Sequence, residues 1–311
     1  MIDVEIAPWN DISATAVWRP TTWTSPRAWR MWHGGPAGLH PLFWLSAVSV
    51  LTLCADIMHI IDLGVAHHIV GNVLWDFCYT ARYFPGFRTA ADRCDALWDM
   101  VAHQYRLRRS PCQLSNLQLS FFIDTGAVST TFPYLSTRIK AAETRHLVPI
   151  LHDIWRQLHD SASQYDLQVL DCLRCLTDFY DVLSVHHEYA LPVAVVNSLN
   201  ASLQGVIGNY RMLSLWARAA NVRRWHEVPK HHYVQHICMQ MSATHQNPKY
   251  AWCYPDEDFM GLVKQISSRC MAGTPVTKLM SKVVLKWTLG VIFRMHRGER
   301  ERTAAAAAAR H

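Results

Sequence analysis

Apolar positions recur at helical spacing through the middle of the chain. Leu147, Ile150, Leu151, Ile154 and Leu158 follow one another at intervals of 3, 1, 3 and 4 residues, which places them on one face of an α-helix. Leu170, Leu173, Leu176, Tyr180 and Leu183 repeat the pattern, and Val196, Leu199, Leu203, Ile207 and Tyr210 repeat it again. Three consecutive amphipathic helices packed on one another are the simplest reading, with the apolar stripes as core rather than as a cofactor pocket.

Upstream, Ile57, Ile60, Ile61, Val65, His68 and Ile69 share one side of a helix that starts at Asp56, a good N-cap type, and runs to about Tyr83, before Pro85-Gly86. A second helix is expected over Thr89 to Leu107, with Ala91, Leu97, Trp98 and Val101 on a face. Residues 42–54, LFWLSAVSVLTLC, form an apolar run that reads as a buried strand, with a helix as the alternative. Residues 112–134 alternate in part like a strand, up to Pro133. Pro229 is expected to start a short helix, Asn247-Pro248 to break it, and Pro255 to open another. The first turn of that helix carries Asp256, Glu257 and Asp258, where acids suit the helix dipole. A last helix spans about 275–295, and residues 296–311 read as a disordered, low-complexity tail.

Composition adds bounds. The chain has 311 residues, half of them hydrophobic, enough for one large domain or two ordinary ones. The net charge of +6 suits a polyanionic partner without requiring one. The nine cysteines are scattered. Only Cys172 and Cys175 form a C-x-x-C, and with no second pair they read as reduced core thiols of an intracellular protein. The apolar run Leu42 to Ala55 stops at Asp56, short of the roughly 18–20 residues that span a bilayer, so no membrane association is expected. Residues 1–41 carry Trp9, Trp18, Trp23, Trp29 and Trp32 among Pro, Thr and Arg with no sustained period. They form an irregular arm, read first as a poorly ordered terminus and second as a nucleic-acid-stacking segment.

Three polar constellations stand out. Asp256-Glu257-Asp258 is the densest carboxylate cluster, read as a helix cap or as a divalent-metal ligand. Asp56 and His59 lie three apart on one helix face, either as a cap with its histidine or as a site. In KHHYVQH, His232 and His236 lie four apart. The zinc-protease motif fails because Tyr233 follows the first histidine, and a zinc site there needs a third ligand such as His245 or Cys238.

Four segments, in this order, resemble the C-terminal part of transposases of the CACTA (En/Spm) class, DDE-type enzymes on an RNase H-like fold. They are DIMHIIDLGVAHHIVGNVL (56–74), RTAADRCDALWDM (88–100), STRIKAAETRHLVPIL (136–151), and PKHHYVQHI with NPKYAWCYPDEDFMGLVKQI (229–266). The likeness covers roughly residues 42–295. It implies a mainly α chain with a truncated RNase H-like α/β core, one or few strands near 42–54, and a large helical insertion at about 108–228. By position, Glu257 is the third catalytic carboxylate, with its register uncertain by one residue, and Asp56 with His59 is the acid-x-x-His signature beside it. Asp56 and Glu257 are the metal ligands implied, for Mg²⁺ or Mn²⁺. Such chemistry clamps two ions about 3.5–4 Å apart between hard oxygen ligands and drives in-line attack on a DNA phosphate. Lys264, Arg269, Lys278, Lys282 and Lys286 follow as DNA-backbone contacts. DNA as partner, nuclear location, and self-association through the insertion complete the expectation.

The chain also departs from that pattern. The family places two more catalytic aspartates upstream, whereas here only Asp3 and Asp11 precede the apolar run. A transposase-derived protein lacking part of its catalytic set is therefore expected. The alternative is a noncatalytic helical module for DNA or protein binding.

Overall fold

The computed structural model describes residues 54–308 except 125, 127, 129 and 272, and for 255–258 and 293–308 it describes the backbone alone. The Trp-rich arm and the apolar run 42–54, apart from Cys54, lie outside the described residues. The described residues are mainly helical, with no strand among them beyond a single antiparallel bridge between Ala190 and Gln246. They form two compact units, which divide after Trp252.

In the first unit a π-helical segment, Met58–Val65, runs directly into α1, Ala66–Tyr79. The widened turn shows in the amide of Ala66, which reaches back five residues to the Ile61 carbonyl. Then follow α2 (Ala90–Arg108), α3 (Ala141–Leu158), α4 (Gln164–Val185), α5 (Val193–Ala219) and α6 (Pro229–Thr244). The expected starts are present. Thr89 and Asp92 form a reciprocal capping box at α2, each side chain accepting the other's amide at 3.1 Å. Pro229 opens α6, and Asn247-Pro248 follows its end.

The helical stripes become one core. Leu147, Ile150, Leu151 and Ile154 of α3 are fully buried, as are Leu173, Leu176 and Leu183 of α4 and Leu199, Leu203 and Tyr210 of α5. Helix α5 packs along α4 and against α6, while α1 lies against α2 and α3. Cys172 and Cys175 sit inside α4 without a disulfide, and burial pushes both thiols up.

Among the described residues of 112–134, which alternate in part like a strand, no strand forms. A 3-10 turn, Leu119–Phe121, sits there instead. Leu114, Leu117, Phe122 and Ile123 plug into the core from a loop that returns on itself. The alternation survives only as a two-bond clasp: the Tyr134 amide donates to the Phe122 carbonyl at 3.0 Å, and the Ser136 amide to the Phe121 carbonyl at 2.6 Å.

That clasp lies on α1 at Gly71. The Leu135 amide donates to the His67 carbonyl at 3.2 Å. A β-carbon on Gly71 would meet the Tyr134 backbone nitrogen and Cα at 2.8 Å. An exposed helical Gly→Ala change gains up to about 1 kcal/mol. Here the neighbour is backbone, so Gly71→Ala is expected to cost about 1–3 kcal/mol instead. Chemical denaturation reads the sign, and a stabilised variant would contradict the close approach.

The second unit is a helical hairpin of α7 (Tyr254–Met271) and α8 (Val276–Ala308). Gly273, at φ +67°, makes the turn. The expected tail 296–311 is helical as far as Ala308.

Candidate functional site

Asp56 and His59 are brought together at the head of the π-helical segment. One Asp56 oxygen accepts the Met58 amide at 3.0 Å, so the residue does cap the helix. Its other oxygen meets His59 Nδ1 in a short contact. Asp56 is mostly shielded while His59 is half exposed. Lys230 of α6 lies near, with its ammonium donating to the Leu63 carbonyl at 3.0 Å. Burial holds the Lys230 pKa below the usual lysine value, against an upward pull from Asp56. One turn on, buried Asp62 accepts from the Tyr180 hydroxyl at 2.6 Å. Sequence reasoning did not single out Asp62, although a carboxylate on the apolar side of an amphipathic helix is a readable signal.

Glu257 falls in the first turn of α7, in the second unit, among residues whose side chains are not described. Mg²⁺ and Mn²⁺ favour several oxygen ligands. At the head of the π-helical segment the carboxylates are Asp56, with both oxygens engaged, and Asp62, committed to Tyr180. Those side chains do not by themselves fit a two-ion centre.

Two further groupings emerge that the sequence did not announce. The first is a buried polar node between α1 and the loop before α6. The guanidinium of Arg224 pairs bidentately with Asp76, Nη1 to Oδ1 at 3.0 Å and Nη2 to Oδ2 at 2.7 Å. Its Nε donates to Asn72 Oδ1 at 2.9 Å, and its plane lies 4.1 Å from the centre of the Trp75 ring. Tyr165 donates to Asp76 at 2.7 Å and accepts from the Trp225 indole at 2.9 Å. Beside this node a cleft of about 300 Å³ is lined by Phe132, Ala217, Arg218, Trp225, His226 and Glu227, among others. Its lining cation Arg218 is paired: Glu227 takes both Arg218 and the neighbouring Arg211 at 2.7 Å.

The second grouping is a set of histidines where α1, the 132–136 loop and α6 meet. The His68 ring lies 4.6 Å from Tyr134 and 6.1 Å from His231, centre to centre. Burial, then the neighbouring Lys230 charge, brings His67 down to about 4. Burial and the charges of His231, His226, His67 and Lys230 bring His68 to about 2. Both rings are therefore neutral in the folded chain near pH 7, whereas in the unfolded chain they take protons below about pH 6.5. As pH falls the unfolded state binds more protons. Their contribution to stability is complete above about pH 6.5 and is lost from there down towards pH 4 for His67 and lower for His68. Between pH 8 and pH 5 the unfolding free energy is expected to drop by about 2 kcal/mol per ring. Urea titrations at the two pH values read this, with a smaller drop expected in His68→Gln. Equal stability at both would contradict it.

In α6 itself, His232 Nε2 and His236 Nε2 face each other at 2.8 Å. Neither third ligand considered for them fits. Cys238 is buried in the core with its thiol pushed up to about 12, and His245 is the left-handed cap that ends α6, at φ 55°.

The DNA-backbone candidates all fall on the hairpin. Lys264 and Arg269 are exposed on α7, and Lys278 and Lys286 are exposed on α8. Lys282 is half-buried and donates to Thr274 Oγ1 at 2.6 Å. No described helix is long and apolar enough to cross a membrane. No protein-family model, curated protein or solved structure matches this chain.

Proposed function

We propose that this chain is a transposase-derived DNA-binding protein, in which the α7–α8 hairpin contacts the phosphate backbone. The observation that carries this reading is one of charge. Between Phe259 and Gly298 there is no Asp or Glu, while Lys264, Arg269, Lys278, Lys282, Lys286, Arg294 and Arg297 fall in that span. Lys264, Arg269, Lys278 and Lys286 have exposed side chains, and no carboxylate pairs with them among the described residues. Unbalanced exposed cations on rigid helices give sequence-independent affinity for phosphates. The order of the DIMH, KHHYVQH and WCYPDED segments supports the transposase ancestry.

Strand cleavage of the DDE type needs two Mg²⁺ or Mn²⁺ ions held between several carboxylates. Asp56, with both oxygens engaged, does not supply that set, so the activity proposed is binding. The charge-reversal variant Lys264→Glu/Lys278→Glu/Lys286→Glu is expected to lose measurable binding to a duplex in a mobility-shift titration. Unchanged binding would sink the proposal. Plasmid incubated with Mn²⁺ is expected to stay supercoiled. Nicking that disappears in Glu257→Gln would show instead that the catalytic set is complete.

The rival reading, a protein-interaction module, draws on the same hairpin. Val284, Leu285 and Leu289 of α8 are exposed apolar side chains. Self-association in sedimentation that is lost when these are made polar, in a chain without DNA affinity, would favour it.

A further inference from the structure

We propose that His232 and His236 form a chelating site for a borderline divalent transition cation, Zn²⁺, Ni²⁺ or Cu²⁺. It is distinct in chemistry from the hard-cation site that strand cleavage would need. Residues four apart on a helix share a face, but most such histidine pairs splay their rings. Here the two Nε2 atoms converge at 2.8 Å, with ring centres 4.6 Å apart and planes at 82°. At that separation the two nitrogens share a single proton, one donating and the other offering its lone pair.

Two imidazoles bound to one tetrahedral zinc, each at about 2.0–2.1 Å, stand about 3.3–3.4 Å apart. The pair is thus within about half an ångström of a chelating bite. On metal binding the ring that donated from Nε2 shifts its proton to its own Nδ1, so that both Nε2 lone pairs face the cation, and the pair opens slightly.

The backbone under the pair is rigid. Val234, Ile237, Cys238 and Met241 anchor the opposite side of α6 in the core. Both histidines are half-buried, so one flank of the site is protein and the other faces solvent. Burial and the neighbouring His232 lower the His236 pKa, which keeps a lone pair available at neutral pH. Imidazole nitrogens favour borderline cations over Mg²⁺, Mn²⁺ and Ca²⁺, with affinity rising towards Cu²⁺. Cys238 and His245 are not among the further donors.

The test uses the full chain, stripped with chelator and titrated calorimetrically with Zn²⁺. One equivalent is expected, undisturbed by millimolar Mg²⁺. His236→Gln removes a direct ligand. It is expected to weaken binding at least as much as the roughly 10–100-fold that loss of a ligand's supporting partner costs. His186→Gln/His187→Gln, which alters two histidines outside α6, is expected to bind like the wild type. No bound equivalent in the wild type, unchanged binding in His236→Gln, or loss in His186→Gln/His187→Gln would each overturn the site. A second measurement needs no variant. Cu²⁺ with ascorbate and dissolved dioxygen oxidises the histidines that ligate the copper, and peptide mass spectrometry is expected to find the oxidation on His232 and His236. Oxidation concentrated elsewhere would overturn the assignment. Neither result depends on whether the hairpin binds DNA.

Discussion

Arg224→Met is expected to lower the unfolding free energy by about 3–5 kcal/mol, because it leaves the Asp76 carboxylate charged and buried without its partner. Both side chains are about 5% exposed. The Arg224 guanidinium makes hydrogen bonds to Asp76, to the Asn72 side chain and backbone, and to Tyr165. Methionine fills the space but accepts no role in that network. Asp76→Asn keeps the shape and strands the opposite charge, so it is expected to cost a similar amount. The double variant Asp76→Leu/Arg224→Met removes both charges and is expected to recover part of the loss, not all. Tyr165 and Asn72 would still have lost partners. With Asp76→Leu as the second single variant, urea unfolding of wild type, the two singles and the double closes the cycle. A cost below about 1 kcal/mol for Arg224→Met would mean that the node is wet rather than buried.

The node also shows where sequence reasoning stops. Helices α3, α4 and α5 were legible because burial at a period of 3.6 marks residues near one another in sequence. The helix starts at Thr89 and Pro229 and the break at Asn247-Pro248 were legible because such residues act on their own neighbours. Arg224 and Asp76 lie 148 residues apart, and no local pattern links them. The failure at 112–134 has the same root. Alternation predicts a strand only if another strand pairs with it, and among the described residues the partner is the helix backbone at Gly71. Gly71, near the end of the segment DIMHIIDLGVAHHIVGNVL, thereby gains a physical reason: it admits the loop.

The candidate site was legible in part. Asp56 and His59 do meet, and Asp56 is also the cap. The convergence of His232 and His236 was visible as a spacing, while their rotamers, which bring the two nitrogens together, were not. Asp62 was missed because its partner, Tyr180, belongs to α4.

DNA affinity measured as a function of salt tests the central claim most directly. If Lys264, Arg269, Lys278, Lys282 and Lys286 each neutralise one phosphate, log K is expected to fall with log salt at a slope of about −4.5, a loss of about 500-fold between 50 and 200 mM. Each single Lys→Ala change on the hairpin is expected to reduce the slope by about 1 and to weaken binding alike on unrelated duplexes. A slope near zero, or one unchanged by those substitutions, would contradict backbone contact through α7 and α8.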